Sequence, residues 1–431
     1  MKSYSFYKWR IWSLLTFSFV LSLFHRGAMG VISSFLVTDL NATATQISNI
    51  ASVTFYSYAL MQIPAGLLLD RYGYQIISAL GILITGIGSI LLGLTPYLTL
   101  AFWGRFFVGL GTSVIFISVL KAQSIWFSPK EFTKASGLLS FIGNIGGMLA
   151  TFPLALLVGW IGWRFSMIGM GLVCLMISTL IFIYVKNSPE EYGYQAEGYK
   201  LEPAKIQLLS SLKEVLTNSA VWRNFFALFT LVGCTTAFSG VWGINYLTTI
   251  YSLTETQASF YISFILIGLI IGSLCINKIV SLFHHQISKC QGVASFGMTG
   301  CWIYFLLIAK GKPSLFLLSF IFFVMGFLAS AHILSFTDVT HHCDTQNGGL
   351  ASSLVNSGEF IASSLITLII GFSLDLTFTG TIINQVRHYS PAQYKQCFLI
   401  FLIISFLGVI TSQIGPKRKD IAPNENLNVT Q

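Results

Sequence analysis

The chain has 431 residues, of which 54% are hydrophobic, 15% are aromatic and only 9% are charged. Soluble domains carry about 25% charged residues, so this composition excludes a soluble globular protein and predicts an all-α membrane protein. The net charge of +9 does not indicate a nucleic-acid partner, because the basic residues cluster on one side of the predicted membrane topology.

Twelve apolar runs lie between polar breaks, and each has about the 20 residues that a transmembrane helix needs. In chain order they are residues 11–37, 47–69, 75–95, 98–126, 133–158, 165–186, 220–248, 256–279, 291–309, 314–338, 347–373 and 396–414. The first run follows a basic segment, as in a signal peptide. It has no small-residue cleavage site, so we expect it to remain as the first span.

The polar segment 187–219 separates the first six spans from the last six. We therefore predict twelve transmembrane helices arranged as two six-helix bundles. The predicted boundaries are residues 1–186 for the N-terminal bundle, 187–219 for a cytosolic linker, 220–414 for the C-terminal bundle and 415–431 for a cytosolic tail.

The distribution of lysine and arginine orients these spans. With both termini in the cytosol, sixteen of the 24 lysines and arginines fall in cytosolic segments, five in outer segments and three inside spans. Basic residues are enriched on the cytosolic side of membrane proteins, and the opposite orientation would invert this bias. We predict a multi-pass membrane protein with both termini in the cytosol.

Every third predicted span lacks ionisable residues in its interior. Spans 3, 6, 9 and 12 contain none in their interiors and are expected to face lipid. Spans 1, 4, 10 and 11 contain the buried charges, which are His25, Arg26, Arg105, Lys121, His332, Asp338 and Glu359. Because charged groups in hydrocarbon are costly, they are expected to line a wet central cavity like those of transporters built from repeats.

Helical spacing aligns further polar residues with these charges. Span 11 places Ser352, Asn356, Glu359 and Ser363 on one face; span 2 aligns Thr54, Tyr58 and Gln62, and span 7 aligns Thr235, Ser239, Trp242, Tyr246 and Thr249. Such side chains can instead hold helices together by hydrogen bonds. The carboxyl group of Glu359 favours the cavity.

Other candidate motifs do not indicate chemistry. The seven cysteines are scattered without a CxxC pair and are interpreted as packing thiols. HHCD at 341–344 lies in a short predicted loop and is not expected to bind a metal. No nucleophile elbow, HExxH or paired carboxylates occur, so we expect no enzyme activity and no cofactor.

The segment PAGLLLDRYGYQ at 64–75 resembles the signature of the major facilitator superfamily between its second and third spans, G-x-x-x-D-R-x-G. Gly66, Asp70, Arg71 and Gly73 match it, whereas the second basic pair of the family is missing. Asp70 is expected to lie level with the positive N-terminus of span 11, where a carboxylate could hold the two halves together.

The resemblance extends over almost the whole chain. GRFFVGLGTS at 104–113 is similar to the family's fourth-span motif, and GNIGGMLATFP at 143–153 to its glycine-rich fifth span. Within the family the chain resembles the bacterial branch near the anion:cation symporters and phagosomal nutrient transporters. Arg26 matches an arginine that binds the substrate anion in organophosphate-type relatives. Those relatives have a second arginine in span 7, which this chain lacks, and this favours a singly charged or carboxylate substrate.

The resemblance implies an alternating-access secondary transporter in a bacterial inner (cytoplasmic) membrane. We expect it to carry a small organic anion or an amino-acid- or peptide-like nutrient and to be coupled to protons. The expected partners are the substrate, protons and the lipid bilayer, and the expected state is a monomer. The predicted substrate-binding residues are Arg26, Tyr58, Gln62, Trp242, Asn245, Tyr246 and Asn356. The predicted proton-coupling residues are Glu359 and His332. The predicted gating residues are Gly66, Asp70, Arg71, Gly73, Arg105 and Lys121.

Alternatives remain open at the level of sequence. Arg26 could be a structural tie to Glu359 or to backbone carbonyls instead of a substrate ligand. His25 lies about 100° round the helix from Arg26, so at most one of them points straight into the cavity. Arg105 is interpreted as structural. An exporter of drugs or siderophores is the main rival function, and a non-transporting membrane sensor is a further one.

Overall fold

A computed structural model describes residues 3–194, 208–284, 286–343, 347–383 and 386–414. These residues are almost entirely helical. The helices before residue 195 are α1 (Tyr4–Gly27), α2 (Met29–Leu40), α3 (Ala44–Leu94), α4 (Leu98–Thr112), α5 (Ile115–Trp126), α6 (Pro129–Leu149) and α7 (Phe152–Tyr184). We call this part the N-terminal half.

The C-terminal half begins at residue 208. Its helices are α8 (Leu208–Thr217), α9 (Ser219–Ala227), α10 (Cys234–Ala237), α11 (Gly243–Tyr251), α12 (Glu255–Leu282), α13 (Ile287–Ile303), α14 (Leu315–Ala329), α15 (Leu334–His342), α16 (Gly348–Leu376) and α17 (Pro391–Thr411). A short hairpin of β1 (Thr381–Ile383) and β2 (Val386–His388) connects α16 to α17. α8 lies within the predicted linker, whereas residues 195–207 and the predicted tail 415–431 lie outside the described residues.

In the described part of the chain, nine helices are long and apolar enough to cross a membrane, and α1 with α2, bent by 44°, would make a tenth. Two of the longest helices contain a break where a glycine has positive φ, Gly73 (78°) and Gly162 (80°). The segment of α3 before Gly73 runs parallel to α4, because Thr54 bonds Arg105 and Ser57 contacts Gly109. The segment after Gly73 runs antiparallel to α4.

The antiparallel direction follows from two glycine contacts, between Gly81 and Gly111 and between Gly88 and Gly104. The chain therefore reverses direction at Gly73, which is the reversal that separates predicted spans 2 and 3. The count of twelve spans stays a prediction. The reversal supports it, because α3 then contains two predicted spans and not one. Glycine suits these contacts because a side chain at any of the four positions would collide with the backbone of the facing helix.

Several predicted spans are not single regular helices. Span 1 bends at Ala28, between α1 and α2. Span 7 comprises α9, α10 and α11 joined by two π-helical turns, Leu228–Gly233 and Phe238–Trp242. Span 10 comprises α14 and α15 with a 3₁₀ turn at Ser330–Ile333 between them. Irregular turns of this kind shift side chains relative to a regular 3.6-residue spacing.

The helices predicted to face lipid carry rows of exposed apolar side chains. On α7 these include Phe165 (68% exposed) and Phe182 (64%), and on α17 Ile403 (66%) and Phe406 (55%). The opposite faces of the same helices are buried. Because exposed apolar area of this size would be unfavourable in water, these surfaces fit a protein embedded in a bilayer.

Candidate substrate site and gates

The two halves meet mainly along α3 and α16, which pack antiparallel. From one end inward, the Thr45 hydroxyl bonds Gly371 O, Ser52 bonds Ser364 O, and Tyr58 stacks on Phe360 with ring centroids 4.1 Å apart. We call the end that carries Thr45 the closed end. In the predicted orientation it faces the outside of the cell.

The opposite end carries Asp70 and Lys121, and we call it the open end. Among the described residues, no hydrogen bond or ion pair joins the halves between the level of Tyr58 and this end. Gly66 has open space where a side chain would begin, and Leu67 is 59% exposed. The predicted orientation places the open end in the cytosol.

Arg26 and Glu359 form an ion pair across the two halves. Arg26 Nη1 lies 3.2 Å from Glu359 Oε1, and the side chains are 19% and 12% exposed. Arg26 is in the last turn of α1, and Glu359 is near the middle of α16. The pair explains how each charge is tolerated in the span, because each supplies the other's counter-charge.

Two aromatic rings complete the surroundings of the guanidinium. Its carbon Cζ lies 5.2 Å from the ring centroid of Tyr58 and 4.7 Å from that of Phe360. Each ring thus lies within cation–π range. Tyr58 and Phe360 come from opposite halves, so the cation, the carboxylate and both rings form one cluster at the boundary between the closed end and the open end. Phe360 was not among the predicted residues; its position next to Glu359 was the only signal in the sequence.

His332 lies in the vicinity of Glu359, and its Nδ1 is 2.8 Å from Ala329 O. Of the two predicted proton-coupling residues, Glu359 is the one that bonds Arg26, and the coupling role of both stays a prediction. His25 points elsewhere: it is 1% exposed, and its Nδ1 is 2.9 Å from Leu21 O. Of the adjacent residues His25 and Arg26, only Arg26 reaches the boundary between the halves.

Gln62 and Asn356 lie one helical turn closer to the open end than Tyr58 and Phe360 on the same two helices. Gln62 is 7% exposed and its Nε2 has no hydrogen-bond partner. Asn356 is partly exposed. A buried amide nitrogen without a partner is uncommon, so Gln62 retains a donor that a bound molecule or water could use.

The predicted substrate-binding residues of span 7 have different surroundings in the structure. Asn245 Nδ2 donates to Ser33 Oγ at 3.1 Å and so joins α11 to α2. Tyr246, however, is 1% exposed and donates its hydroxyl hydrogen to Gly311 O. Trp242 is 2% exposed and faces Tyr394. In this conformation the prediction that Tyr246 and Trp242 line the cavity does not hold.

The two π-helical turns give the physical reason. Each such turn contains one residue more than an α-turn and rotates the following side chains by about 100°. The 3.6-residue spacing used in the prediction therefore fails beyond Leu228. The hydroxyl groups of Thr235, Ser239 and Thr249 all donate to carbonyls of their own helix.

The gating residues lie at the open end and behind the ion pair. Asp70 Oδ1 accepts a hydrogen bond of 2.7 Å from Lys121 Nζ, which also bonds Leu69 O. Lys121, the partner of Asp70, belongs to the N-terminal half, and the predicted contact with the N-terminus of α16 is not made in this conformation. Arg71 lies over the ring of Tyr72 and is exposed. The halves are apart at this end, and Asp70 forms its ion pair with Lys121 of the same half.

Gly73 and Arg105 make close contacts within the N-terminal half. A side chain at Gly73 would collide with Asn187, whose Oδ1 accepts a hydrogen bond from Gln75 N. Arg105 is 1% exposed and its Nη1 donates to His25 O at 2.8 Å, which ties α4 to α1 next to Arg26. This agrees with the interpretation of Arg105 as structural.

The structure also contains polar clusters that the sequence analysis did not predict. Asp338 accepts hydrogen bonds from Arg223 and Asn224, and all three are buried. At the closed end, Asp375 bonds the hairpin and the start of α3. No three histidines, cysteines or carboxylates come together as metal ligands in the described ranges, and Asp344 of the HHCD segment lies outside them.

Comparison with known families now decides the class of protein. The model of the Major Facilitator Superfamily matches residues 14–367. The chain belongs to this superfamily. Its members are transporters rather than enzymes, which confirms the predicted fold class and the absence of an enzyme assignment. A solved bacterial homologue of the human lysosomal transporter Spinster, described as inward-facing and unoccupied, has the same fold, with a TM-score of 0.76, 16% identity and coverage of 94% of this chain and 96% of that one.

Curated relatives are more similar in sequence. The transporter YybO of Bacillus subtilis is 28% identical over 50% of this chain and 52% of its own. A probable hexose phosphate transport protein of Chlamydia muridarum is 25% identical over 63% and 64%. A probable L-galactonate transporter of Escherichia coli is 23% identical over 84% and 82%. The chain thus spans about half to two thirds of the length of the first two relatives.

Proposed function

We propose that this superfamily member carries a small organic anion with a carboxylate group across a bacterial inner membrane, and that protons drive the transport. The ion pair between Arg26 and Glu359 is the observation that carries the proposal. Among the described residues it is the last hydrogen bond or ion pair between the halves before the open end, where a substrate entering from that end would meet it.

Arg26 is suited to hold the substrate anion. The ion pair with Glu359 uses one guanidinium nitrogen, Nη1, and the planar group presents five N–H donors in total. A carboxylate can take two parallel hydrogen bonds from such a group. Because Glu359 already occupies part of the guanidinium, a substrate carboxylate and the Glu359 carboxylate would compete for the same cation.

This competition supplies the coupling that we propose. A proton on Glu359 removes its charge and releases Arg26 for the substrate, and loss of the proton restores the ion pair and disfavours the bound anion. We assign His332, in the vicinity of Glu359, as the second candidate for the proton path. Substrate and proton would then cross the membrane together.

The number of cations favours a carboxylate over a phosphate ester. The cluster contains the single arginine Arg26, and span 7, where organophosphate-type relatives carry a second arginine, offers Asn245 beside Trp242 and Tyr246. A phosphate ester carries more charge than one guanidinium balances. Among the relatives, the L-galactonate transporter aligns over more of the chain than the hexose phosphate protein.

The substrate class can be tested with purified protein and a panel of sugar acids, other carboxylates, amino acids, dipeptides and sugar phosphates. We expect thermal stabilisation by one or more carboxylates in native protein and no stabilisation in Arg26→Ala. If a sugar phosphate stabilises the protein and no carboxylate does, the proposed substrate class is wrong.

Proton coupling is tested separately in proteoliposomes with Glu359→Gln, which imitates the protonated carboxyl. We expect counterflow exchange of the substrate to survive and accumulation driven by a pH gradient to disappear. Glu255→Gln, the same chemical change in the first turn of α12, should keep both activities. Accumulation by Glu359→Gln against a gradient would show that Glu359 does not couple the proton.

A further inference from the structure

The closed end contains a carboxylate that joins the two halves through backbone groups. Asp375, in the last turn of α16, accepts a hydrogen bond of 2.8 Å from Thr45 N at the start of α3. The same carboxylate accepts from the Tyr389 hydroxyl at 2.5 Å, and that hydroxyl accepts from Ala44 N at 3.0 Å. Two successive backbone N–H groups of the N-terminal half therefore donate hydrogen bonds to side chains of the C-terminal half.

These N–H groups have no other partner within their helix. The first turn of a helix leaves its N–H groups without intrahelical acceptors, and together they carry a partial positive charge. The side-chain oxygen of Thr43, the N-cap residue of α3, accepts a hydrogen bond from Gln46 N. The remaining two donors, Ala44 N and Thr45 N, are satisfied by Tyr389 and Asp375. The start of α3 is thus fully capped only while the halves are together at this end.

The hairpin between α16 and α17 holds the carboxylate in place. Arg387, in β2, donates to Asp375 Oδ1 at 2.9 Å, and Tyr389 directly follows β2. Burial raises the pKa of the Tyr389 hydroxyl, and the hydrogen bond to Asp375 raises it further, so the hydroxyl remains a donor at any physiological pH. Arg387 and Tyr389 both belong to the C-terminal half. The carboxylate is therefore positioned before it meets α3.

The helices are in close contact beside this carboxylate. A side chain at Gly371, one turn before Asp375, would collide with Ser48 and with Ala44 O of α3. Ser48 is fully buried. The absence of a side chain at Gly371 lets α16 approach α3 closely enough for Asp375 to reach Thr45 N.

We infer that Asp375 is the latch of the closed end: its carboxylate caps the N-terminus of α3 across the two halves and stabilises the conformation that is open at the Asp70 end. Opening of the closed end requires the loss of the bonds to Thr45 and, through Tyr389, to Ala44. The latch is distinct from the Arg26 cluster, which lies about three helical turns along α3, and it does not depend on the identity of the substrate.

The latch can be tested by the reactivity of a buried cysteine in detergent-solubilised protein. Ser52 is fully buried between α3 and α16, on the closed-end side of the Tyr58–Phe360 stack. In Ser52→Cys, a hydrophilic maleimide should react when the closed end opens, and the parent protein with its native cysteines gives the background. Adding Asp375→Asn should raise the labelling rate roughly tenfold, as expected when a charge-assisted hydrogen bond is lost from one of two conformations.

Two matched controls make the result specific. Asp39→Asn is the same change near the same end, but Asp39 bonds Trp163 and Arg164 of its own half, so the labelling of Ser52→Cys should not change. Ser89→Cys reports unfolding, because Ser89 is buried within the N-terminal half and bonds Met167 O. Its labelling should stay at the background rate in Asp375→Asn.

Three outcomes would overturn the inference. The first is an unchanged labelling rate of Ser52→Cys in Asp375→Asn. The second is an equal increase with Asp39→Asn, which would indicate a general effect of charge at this end. The third is an equal increase at Ser89→Cys, which would indicate loss of folding and not opening of the closed end.

Discussion

Arg26 shows how one residue can satisfy the physical demands of a membrane span. The guanidinium has Glu359 as counter-ion and the rings of Tyr58 and Phe360 within cation–π range. Three of these four side chains were identified from the sequence as polar or aromatic residues on predicted inward faces. A tie between Arg26 and Glu359 was one of the alternatives that the sequence left open. The sequence could not decide it, because Arg26 and Tyr58 lie more than 300 positions before their partners.

At this scale we predict that Arg26→Lys weakens substrate binding. Lysine keeps the charge but loses the planar donors that match a carboxylate, so the loss should be about 1.5–3 kcal/mol, or roughly 10- to 150-fold in affinity. Isothermal titration with the carboxylate found in the stabilisation screen measures it. An unchanged affinity together with a lower unfolding temperature would identify Arg26 as a structural tie between the halves.

A second prediction concerns the buried pair of Asp338 and Arg223, whose side chains are 8% and 6% exposed. Asp338→Asn leaves the Arg223 guanidinium without a counter-charge, which typically costs about 3–5 kcal/mol when a buried pair is broken. Thermal unfolding should show a clear loss of stability. Asp39→Asn is the matched control, because its partner Arg164 is 35% exposed and an exposed pair contributes at most about 1 kcal/mol. Equal effects of the two changes would contradict the prediction.

At the scale of elements, α3 and α16 form an antiparallel pair with a carboxylate near each end. The register defined by Ser52 with Ser364 and by Tyr58 with Phe360, continued towards the open end, places Asp70 opposite Gly348, the first residue of α16. In the present conformation Asp70 instead bonds Lys121. A movement that closes this end would exchange Lys121 for the N-terminal N–H groups of α16.

We therefore predict that Asp70→Asn leaves substrate affinity nearly unchanged but slows transport. Asp70 lies about three helical turns along α3 from Tyr58, which contacts Arg26, and the Asp70 side chain is 73% exposed in this conformation. Its amide replacement would bind the positive end of α16 less well when the open end closes. Affinity by titration and initial rates of counterflow separate the two quantities. A loss of affinity as large as that of Arg26→Lys would contradict this role.

Span 7 is the element in which sequence periodicity was misleading. The pattern of Thr235, Ser239, Trp242 and Tyr246 fits one face of a regular helix, yet π-helical turns rotate part of this face into the packing of the C-terminal half. The 3.6-residue spacing does not reveal these turns, and α9 and α10, on either side of the first turn, pack against α16. Span 11, by contrast, is one regular helix, and its predicted polar face contains Glu359 as expected.

At the scale of the whole molecule, the orientation remains a prediction of the positive-inside pattern. It can be tested with single added cysteines at exposed positions of opposite ends. Tyr97 is 71% exposed in the connection between α3 and α4, and Leu282 is 77% exposed at the end of α12. In intact cells an impermeant maleimide should label Tyr97→Cys and should label Leu282→Cys only after permeabilisation. The reverse pattern would overturn the orientation.

The sequence by itself determined the class of the protein. Apolar runs of the length of a bilayer, few charges and a biased distribution of lysine and arginine are local or additive properties, so they can be summed along the chain without knowledge of its contacts. The same holds for the DRYG segment at 70–73 and for the isolated charges of Arg26 and Glu359. These features led to the superfamily before any contact between helices was known.

Only the tertiary structure decided which of these residues meet. The pairing of Arg26 with Glu359, the capping of α3 by Asp375 and the bond between Asp70 and Lys121 each depend on the relative position of helices that are distant in sequence. They also depend on the conformation, because the same carboxylate can bond a lysine in one state and a helix terminus in another. Periodicity gives the face of a helix on which a residue lies, whereas packing gives the partner that this face meets.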